Sequence, residues 1–340
     1  MKINFKDLFL GIAIGDAYGA GLEFQDRNWI RQHVDFTKFI NKRTDINTPD
    51  KQLFVIDYKE WDYTDDTEMS IAVVKAIMSN DPFTEELLVK HFTDEYLLGY
   101  RLKGYKRNGH GSIRLVYNGE KNIEDIKDFQ RQKQYPGNAP PMRAIPIGFV
   151  NDELIDQYAT INATCTHPHP KAIDASILIA RATKAFLIDG MEHFDLIPYC
   201  LNYLSDKETI ETLILVNNLP QPENLTAHDY QLLCGPQPIQ KKQFLEGMYG
   251  LPSNAMFTAI SALYMIKHST SAFEGLKNSI RLGGDVDSLA SIVVGILAGK
   301  YGTNDLPQYM IENVEGATYL NQLAIQFSKF CYDEKLEKTN

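Results

Sequence analysis

Cysteine is scarce and scattered in this sequence. Cys165, Cys200, Cys234 and Cys331 form no Cys-x-x-Cys pair, so neither a disulfide framework nor a zinc site is expected, and a reducing cytoplasm fits best. Positive charge is also short. The chain has 34 Lys and Arg against 44 Asp and Glu, a net charge of −10. This argues against general nucleic-acid binding or an anionic-membrane surface, although a local pocket can still take a small anionic ligand. No apolar run is long enough to span a membrane. Leu8 to Gly15 follows Lys2 and mimics a signal peptide, but the run is short and is bounded by Asp7 and Asp16. Strand-like alternation is confined to short pieces near 35–40 and 53–57. No solenoid repeat and no interdomain linker stand out.

What is present is helical periodicity. The 340 residues allow one to three domains, and 44% apolar content is ordinary for a globular chain. Residues 5–21 read as a helix with Gly11, Gly15 and Gly19 on one face, a spacing that lets a neighbouring backbone approach closely. Met69, Ala72, Val73, Ala76 and Ile77 make an i, i+3, i+4 stripe, and Leu87, Leu88, His91, Phe92 and Tyr96 continue the pattern. Leu289, Ile292, Val293, Ile296 and Leu297 form another stripe. Further helices are expected at 152–164, 170–188, 193–204, 206–216, 241–249, 254–267 and 272–281. The segments 25–60, 103–147 and 217–240 read as irregular, being rich in Gly, Pro, Asn and charge. The expectation is an all-α chain, one domain over 1–340, with long active-site loops.

Two acidic motifs each open one of these helices: Thr64-Asp65-Asp66-Thr67 and Gly283-Gly284-Asp285-Val286-Asp287-Ser288. Each has a structural explanation. Asp65 can serve as N-cap with Glu68 completing a capping box, and Asp287 or Ser288 can cap the second helix. The functional reading is that the carboxylates and hydroxyls converge into an all-oxygen pocket for hard divalent cations. The paired glycines allow a tight turn, and Asp285 and Asp287 at i and i+2 can face one side of an extended segment.

A third element, Gly11-x3-Gly15-Asp16-Ala17-x-Gly19-x3-Glu23-Phe24, gives the pair of motifs its meaning. The three together resemble the ADP-ribosyl-glycohydrolase family, of the dinitrogenase-reductase-activating type. Asn138-x3-Met142-Arg143-x2-Pro146-Ile147-Gly148 and Thr166-His167-Pro168-His169-Pro170-x-Ala172 are similar to two intermediate signatures. The resemblance covers nearly the whole chain, with its motifs in the expected order.

The resemblance implies a compact all-α fold with two magnesium ions, or manganese, in a central cleft. Thr64, Asp65 and Asp66 would be metal ligands from one side and Asp285, Asp287 and Ser288 from the other, with Ser288 standing where the family usually has Thr. Glu23 matches a glutamate near the second ion. Glu23 and Asp66 are both candidates for the catalytic base, and nothing in the sequence chooses between them. The implied substrate is an ADP-ribose-containing small molecule or an ADP-ribosylated protein, cleaved at the ribosyl C1 N- or O-glycosidic bond. A catalytically silent ADP-ribose binder, and the same chemistry on another nucleoside or nucleotide, are the alternatives.

The glycine-rich, basic stretch 103–112 suits a diphosphate through exposed amides and nearby cations. A solvated loop is its plain alternative, and its placement within the resemblance favours Gly109, Gly111 and Ser112 as substrate contacts. His167 can be a satisfied turn histidine, but the resemblance makes it a ligand contact, with His169 shaping the turn. Asn138 and Arg143 are expected at the adenosine or phosphate end. Here the chain departs from the family: Pro140 and Pro141 stiffen the loop and remove backbone donors. His228-Asp229 resembles the HD motif of metal-dependent phosphohydrolases, but it falls in a Pro-rich segment read as irregular and is set aside.

Overall fold

In the computed structural model, residues 3–41, 59–79, 81–103, 110–241 and 244–337 are described. The first half carries α1 (Phe5–Ala20), α2 (Arg27–His33), α3 (Asp65–Met78), α4 (Glu85–Lys103), α5 (Gly111–Tyr117), α6 (Ile123–Arg131), α7 (Ala139–Met142) and α8 (Asp152–Thr164). The second carries α9 (Pro170–Thr183), α10 (Leu196–Cys200), α11 (Lys207–Val216), α12 (Ala227–Cys234), α13 (Ala255–Lys267), α14 (Ala272–Ile280), α15 (Val286–Tyr301), α16 (Gln308–Asn313) and α17 (Ala317–Glu337). The fold is all-α, as expected. No helix among the described residues is long and apolar enough to cross a membrane.

The centre of the fold is an antiparallel pair, α1 against α15. A Cβ placed on Gly11 would lie 2.6 Å from the Val294 carbonyl oxygen, one on Gly15 2.3 Å from that of Ala290, and one on Gly19 2.4 Å from the Asp287 Cα. Numbers rise along one helix as they fall along the other, so the two backbones touch along their length. Gly295 of α15 in turn receives Ile12, and Gly299 lies against Leu8 and Leu187. These glycines cost helix propensity, roughly 1 kcal/mol each, and the close packing they permit offsets it. The pairing sets the C-terminal end of α1 beside the N-terminal end of α15, which is where the acidic motifs begin.

Around this pair the buried side chains, from Phe5 to Cys331, form one hydrophobic cluster. The C-terminal α17 joins it through Phe327, whose ring meets Phe5, Phe9 and Phe149.

The structure corrects several local expectations. The helix expected at 241–249 does not form among the described residues there. Ile239–Lys241 (β1) and Phe244–Met248 (β2) form an antiparallel two-stranded ribbon. Gly247 there has φ +78° and packs against Pro238, a left-handed backbone that a helix does not tolerate. No strand forms at 35–40, where Asp35 accepts from the Thr37 N–H and hydroxyl and Phe36 takes φ +63°. The 53–57 candidate lies outside the described residues.

The segments read as irregular hold short helices. α6 and α12 both start with a capping box, Asn122 with Asp125 and Thr226 with Asp229. The His228-Asp229 pair therefore lies on a helix, and Asp229 has a capping task. The expected 170–188 helix ends in a π turn at Lys184–Ile188.

The glycine contacts make one prediction. Gly15→Ala should force α1 and α15 apart and lower stability by about 1–3 kcal/mol or more, measured by denaturant unfolding. A wild-type midpoint for that variant would contradict the packing described.

Candidate active site

Each acidic motif is held in place by residues outside it, the first by the Asp16 carboxylate and the second by backbone. Thr64 is the N-cap of α3, but its side chain makes no cap hydrogen bond. Its N–H and hydroxyl, together with those of Thr67, instead donate to Asp16 of α1 at 2.6–2.9 Å. Asp65 is therefore not the cap, and Glu68 makes no capping box; its carboxylate pairs with His110. With capping supplied by its neighbour, the first turn of α3 keeps Asp65 and Asp66 available for other work.

The second motif is threaded between two chain segments. Gly284 donates to the Gln25 carbonyl at 3.0 Å and its own carbonyl accepts from Phe24 at 2.7 Å. On the other side, Leu251 N–H donates to Gly283 and Asp285 N–H to Leu251. A Cβ on Gly284 would sit 2.2 Å from the Leu251 oxygen, and φ is +72° and +82° at Gly283 and Gly284. Only glycine fits this slot. Asp285 then caps α15 with no side-chain cap bond, and helix proper begins at Val286, earlier than the sequence suggests.

These supports bring together two overlapping carboxylate triads. Oxygens of Asp16, Asp66 and Asp287 lie within 4.8 Å of one another, as do those of Glu23, Asp285 and Asp287. Asp287 is common to both. Asp16, Asp66, Asp285 and Asp287 are all at least 95% buried, and Glu23 is half-buried. Burial raises the Asp16 carboxyl to about 6, opposed by the four threonine hydrogen bonds. Burial also pushes Asp66 well above the carboxylate range, reinforced by Asp16, Asp65 and Asp285. Asp287 is raised well, by burial and then by Glu23, Asp285 and Asp66, and Asp285 chiefly by burial. The Ser288 hydroxyl lies near Asp66 and Asp285 and favours the charged form of each, so it stands between the two motifs. Crowded, buried carboxylates of this kind are relieved either by protons or by cations. All-oxygen donors with several charges fit a hard divalent ion.

Beside the triads opens a cleft of about 340 Å³, whose walls include Asp65, His110, Ser112, Asn138, Arg143 and His167. Asn138 donates from Nδ2 to Asp285 at 3.3 Å and accepts the Ser253 hydroxyl at 3.0 Å, so it joins cleft to acidic cluster. Gly137 lies against His167, whose Nε2 would be 2.9 Å from an added Cβ. His167 Nδ1 is bonded to Thr166, and burial, with Arg143 and Lys133 nearby, lowers its pKa well below the usual histidine value. It is a neutral imidazole at the cleft wall. His169 caps α9, accepting from the Lys171 N–H.

Arg143 is fully buried and its guanidinium is spoken for. Nε and Nη2 donate to Asn162 at 2.8 Å, Nη2 reaches Thr166 at 2.9 Å, Nη1 approaches the Met69 sulfur, and Phe92 stacks at 4.1 Å. It braces the Thr166–His167 turn from behind. Pro140 and Pro141 are not in an open loop but form the start of the buried helix α7, where the Pro140 carbonyl accepts from Asn162. Gly111 is exposed and Ser112 half-buried at the start of α5. Gly109 lies outside the described residues.

Sequence reasoning missed Asp16 as a site residue. Its signal was a lone carboxylate within the apolar, glycine-lined part of α1 that follows Asp7, a burial that demands partners. The Glu68–His110 pair was missed as well, because 42 residues separate its members.

Comparison with known proteins agrees with this geometry. The family model for ADP-ribosylglycohydrolase matches residues 3–336. The human ADP-ribosylhydrolase ARH3 is 23% identical over 343 residues, covering 92% of this chain and 89% of that protein. The Xenopus tropicalis ADP-ribosylhydrolase ARH3 is 22% identical, covering 92% and 91%. A solved structure titled as an ADP-ribosylglycohydrolase-related protein complex aligns with TM-score 0.63 at 18% identity, covering 96% of this chain and 97% of its own, and so shares the fold. The chain belongs to the ADP-ribosylglycohydrolase family and is a hydrolase of ADP-ribosyl bonds.

Proposed function

We propose that the chain acts as one domain over 1–340, removing ADP-ribose from a protein side chain or a small conjugate by cleaving the ribosyl C1 N- or O-glycosidic bond. The observation that carries this is the pair of triads sharing Asp287 at the edge of a cleft walled by Asn138 and His167. Thr64, Asp65, Asp66, Asp285, Asp287 and Ser288 would hold two divalent cations, magnesium or manganese. Such ions, when bound, supply positive charge that orients ribose hydroxyls and makes water more acidic.

The remaining work falls to the protein's own groups. Glu23 is half-buried, whereas Asp66 is 2% exposed and enclosed by Asp16, Asp287 and the Ser288 hydroxyl. This favours Glu23 as the base that takes the proton from the attacking water, with Asp66 as a ligand. Bond cleavage builds positive charge at C1, and the acidic cluster favours that charge. Neutral His167 and Asn138 hydrogen-bond the sugar or diphosphate, and Gly109, Gly111 and Ser112 border the substrate. Arg143 contributes by positioning His167. Four buried free cysteines suit a reducing cytoplasm.

Four outcomes test this reading. Asp285→Ala should abolish both magnesium binding, read by calorimetry, and ADP-ribosyl hydrolysis; retained turnover would sink the scheme. Glu23→Gln should lower kcat far more than it weakens ADP-ribose binding, while Asp16→Asn should cost roughly 10–100-fold in metal affinity or activity by loosening Thr64 and Thr67.

The fourth concerns pH. Because the folded pKa values of Asp16, Asp66, Asp285 and Asp287 are raised above 3.8, the native state binds more protons than the unfolded chain. Metal-free stability should therefore fall as pH rises from about 4 through about 6, the Asp16 value. Magnesium should raise the melting temperature more at pH 7.5 than at pH 5. An equal or opposite effect would contradict the electrostatics.

A further inference from the structure

His110 lines the cleft, and neither the acidic motifs nor the expected substrate contacts account for it. It adopts φ +57°, a left-handed backbone that is uncommon for a side chain of this size, and stands between Gly109 and Gly111. It is 3% exposed and packs edge-on against Tyr96, with ring centroids 5.5 Å apart. Its Nε2 is bonded to the Glu68 carboxylate, one turn beyond Asp65 on α3. Its Nδ1 is buried with no hydrogen-bond partner among the described residues, although the residue lines the cleft.

A buried ring nitrogen without a partner is costly, so its retention at a ligand cleft calls for a partner that arrives with the ligand. We propose that His110 is a substrate-contacting residue whose Nδ1 accepts a hydrogen bond from an O–H or N–H donor of the bound ADP-ribosyl compound, with Glu68 fixing the ring. The carboxylate on Nε2 places the hydrogen there and leaves Nδ1 with its lone pair. This atom therefore suits a sugar hydroxyl or the N–H or O–H of the leaving side chain, and not a phosphate oxygen. The inference rests on the reading of the cleft as an ADP-ribosyl site.

The test separates the two ring nitrogens. In His110→Gln the amide reaches the Nε2 position and keeps a bond to Glu68, but nothing remains at Nδ1. In His110→Asn the amide sits near Nδ1 and the Glu68 bond is lost. With magnesium present, ADP-ribose binding is measured by calorimetry, and kcat/KM is measured on ADP-ribosyl-arginine and ADP-ribosyl-serine. Thermal unfolding is followed in parallel.

The expected result is that His110→Gln melts like wild type yet loses about tenfold in binding or in kcat/KM, while His110→Asn is destabilised and retains more of the function per folded molecule. Weakened ADP-ribose binding identifies a sugar hydroxyl as donor. Unchanged binding with a lower kcat/KM identifies the leaving group. If wild type binds and hydrolyses while His110→Gln equals it in both readouts, the assignment is overturned and His110 only braces α5. If wild type itself neither binds nor hydrolyses these compounds, the reading of the whole cleft fails with it.

Discussion

The contact between the backbones of α1 and α15 is the constraint on which the site depends. Gly15 and Gly19 remove the side chains that would hold the two helices apart, and the antiparallel register then sets Asp16 beside Asp287. A wider spacing would take carboxylates from these two helices out of reach of one another. The same register carries Glu23, just past the end of α1, to Asp285 and Asp287. Packing and chemistry are in this way a single geometric fact, since the glycines serving the core also bring carboxylates from both ends of the chain together.

That geometry comes at an energetic cost. Four nearly fully buried aspartates with a half-buried glutamate beside them oppose folding unless protons or cations intervene. The chain meets the cost partly with fixed dipoles. Asp16 receives four donors from Thr64 and Thr67, and Asn138 donates to Asp285. Asp16 is thus both the clamp that starts α3 and a member of the acidic cluster, which couples the placement of the first motif to the electrostatic state of the second.

The cleft wall is built by a similar division of labour. Arg143, entirely buried, uses its donors on Asn162 and Thr166 and so fixes the turn that presents His167. Asn162 in turn holds α7 through the Pro140 carbonyl. The prolines that looked like a departure in an open loop are structural members of this network. Rigid elements, rather than a free loop, therefore surround the space where a sugar would lie, and pre-organisation of this kind lowers the ordering cost on binding.

Much of this was legible in the order of residues. Helical periodicity marked most of the major helices to within a few residues, because burial of a stripe leaves a local trace, but the 21-residue α17 at the C-terminal end went unread. The acidic hexad and Glu23 stood out because glycines, carboxylates and hydroxyls cluster within a few positions. Where the chain made short capped helices in polar stretches, as at α6 and α12, the periodic signal was too brief to read. At 241–249 a period compatible with a helix was overruled by Gly247 folding onto Pro238.

By itself the sequence determined the all-α class and the two groups of oxygen donors, since both depend on neighbours along the chain. Only the tertiary structure decided that Asp16 joins those donors, that Arg143 serves the protein, and that Glu68 reaches His110. Each of these turns on contacts between residues far apart in the chain, whose distances no local spacing encodes.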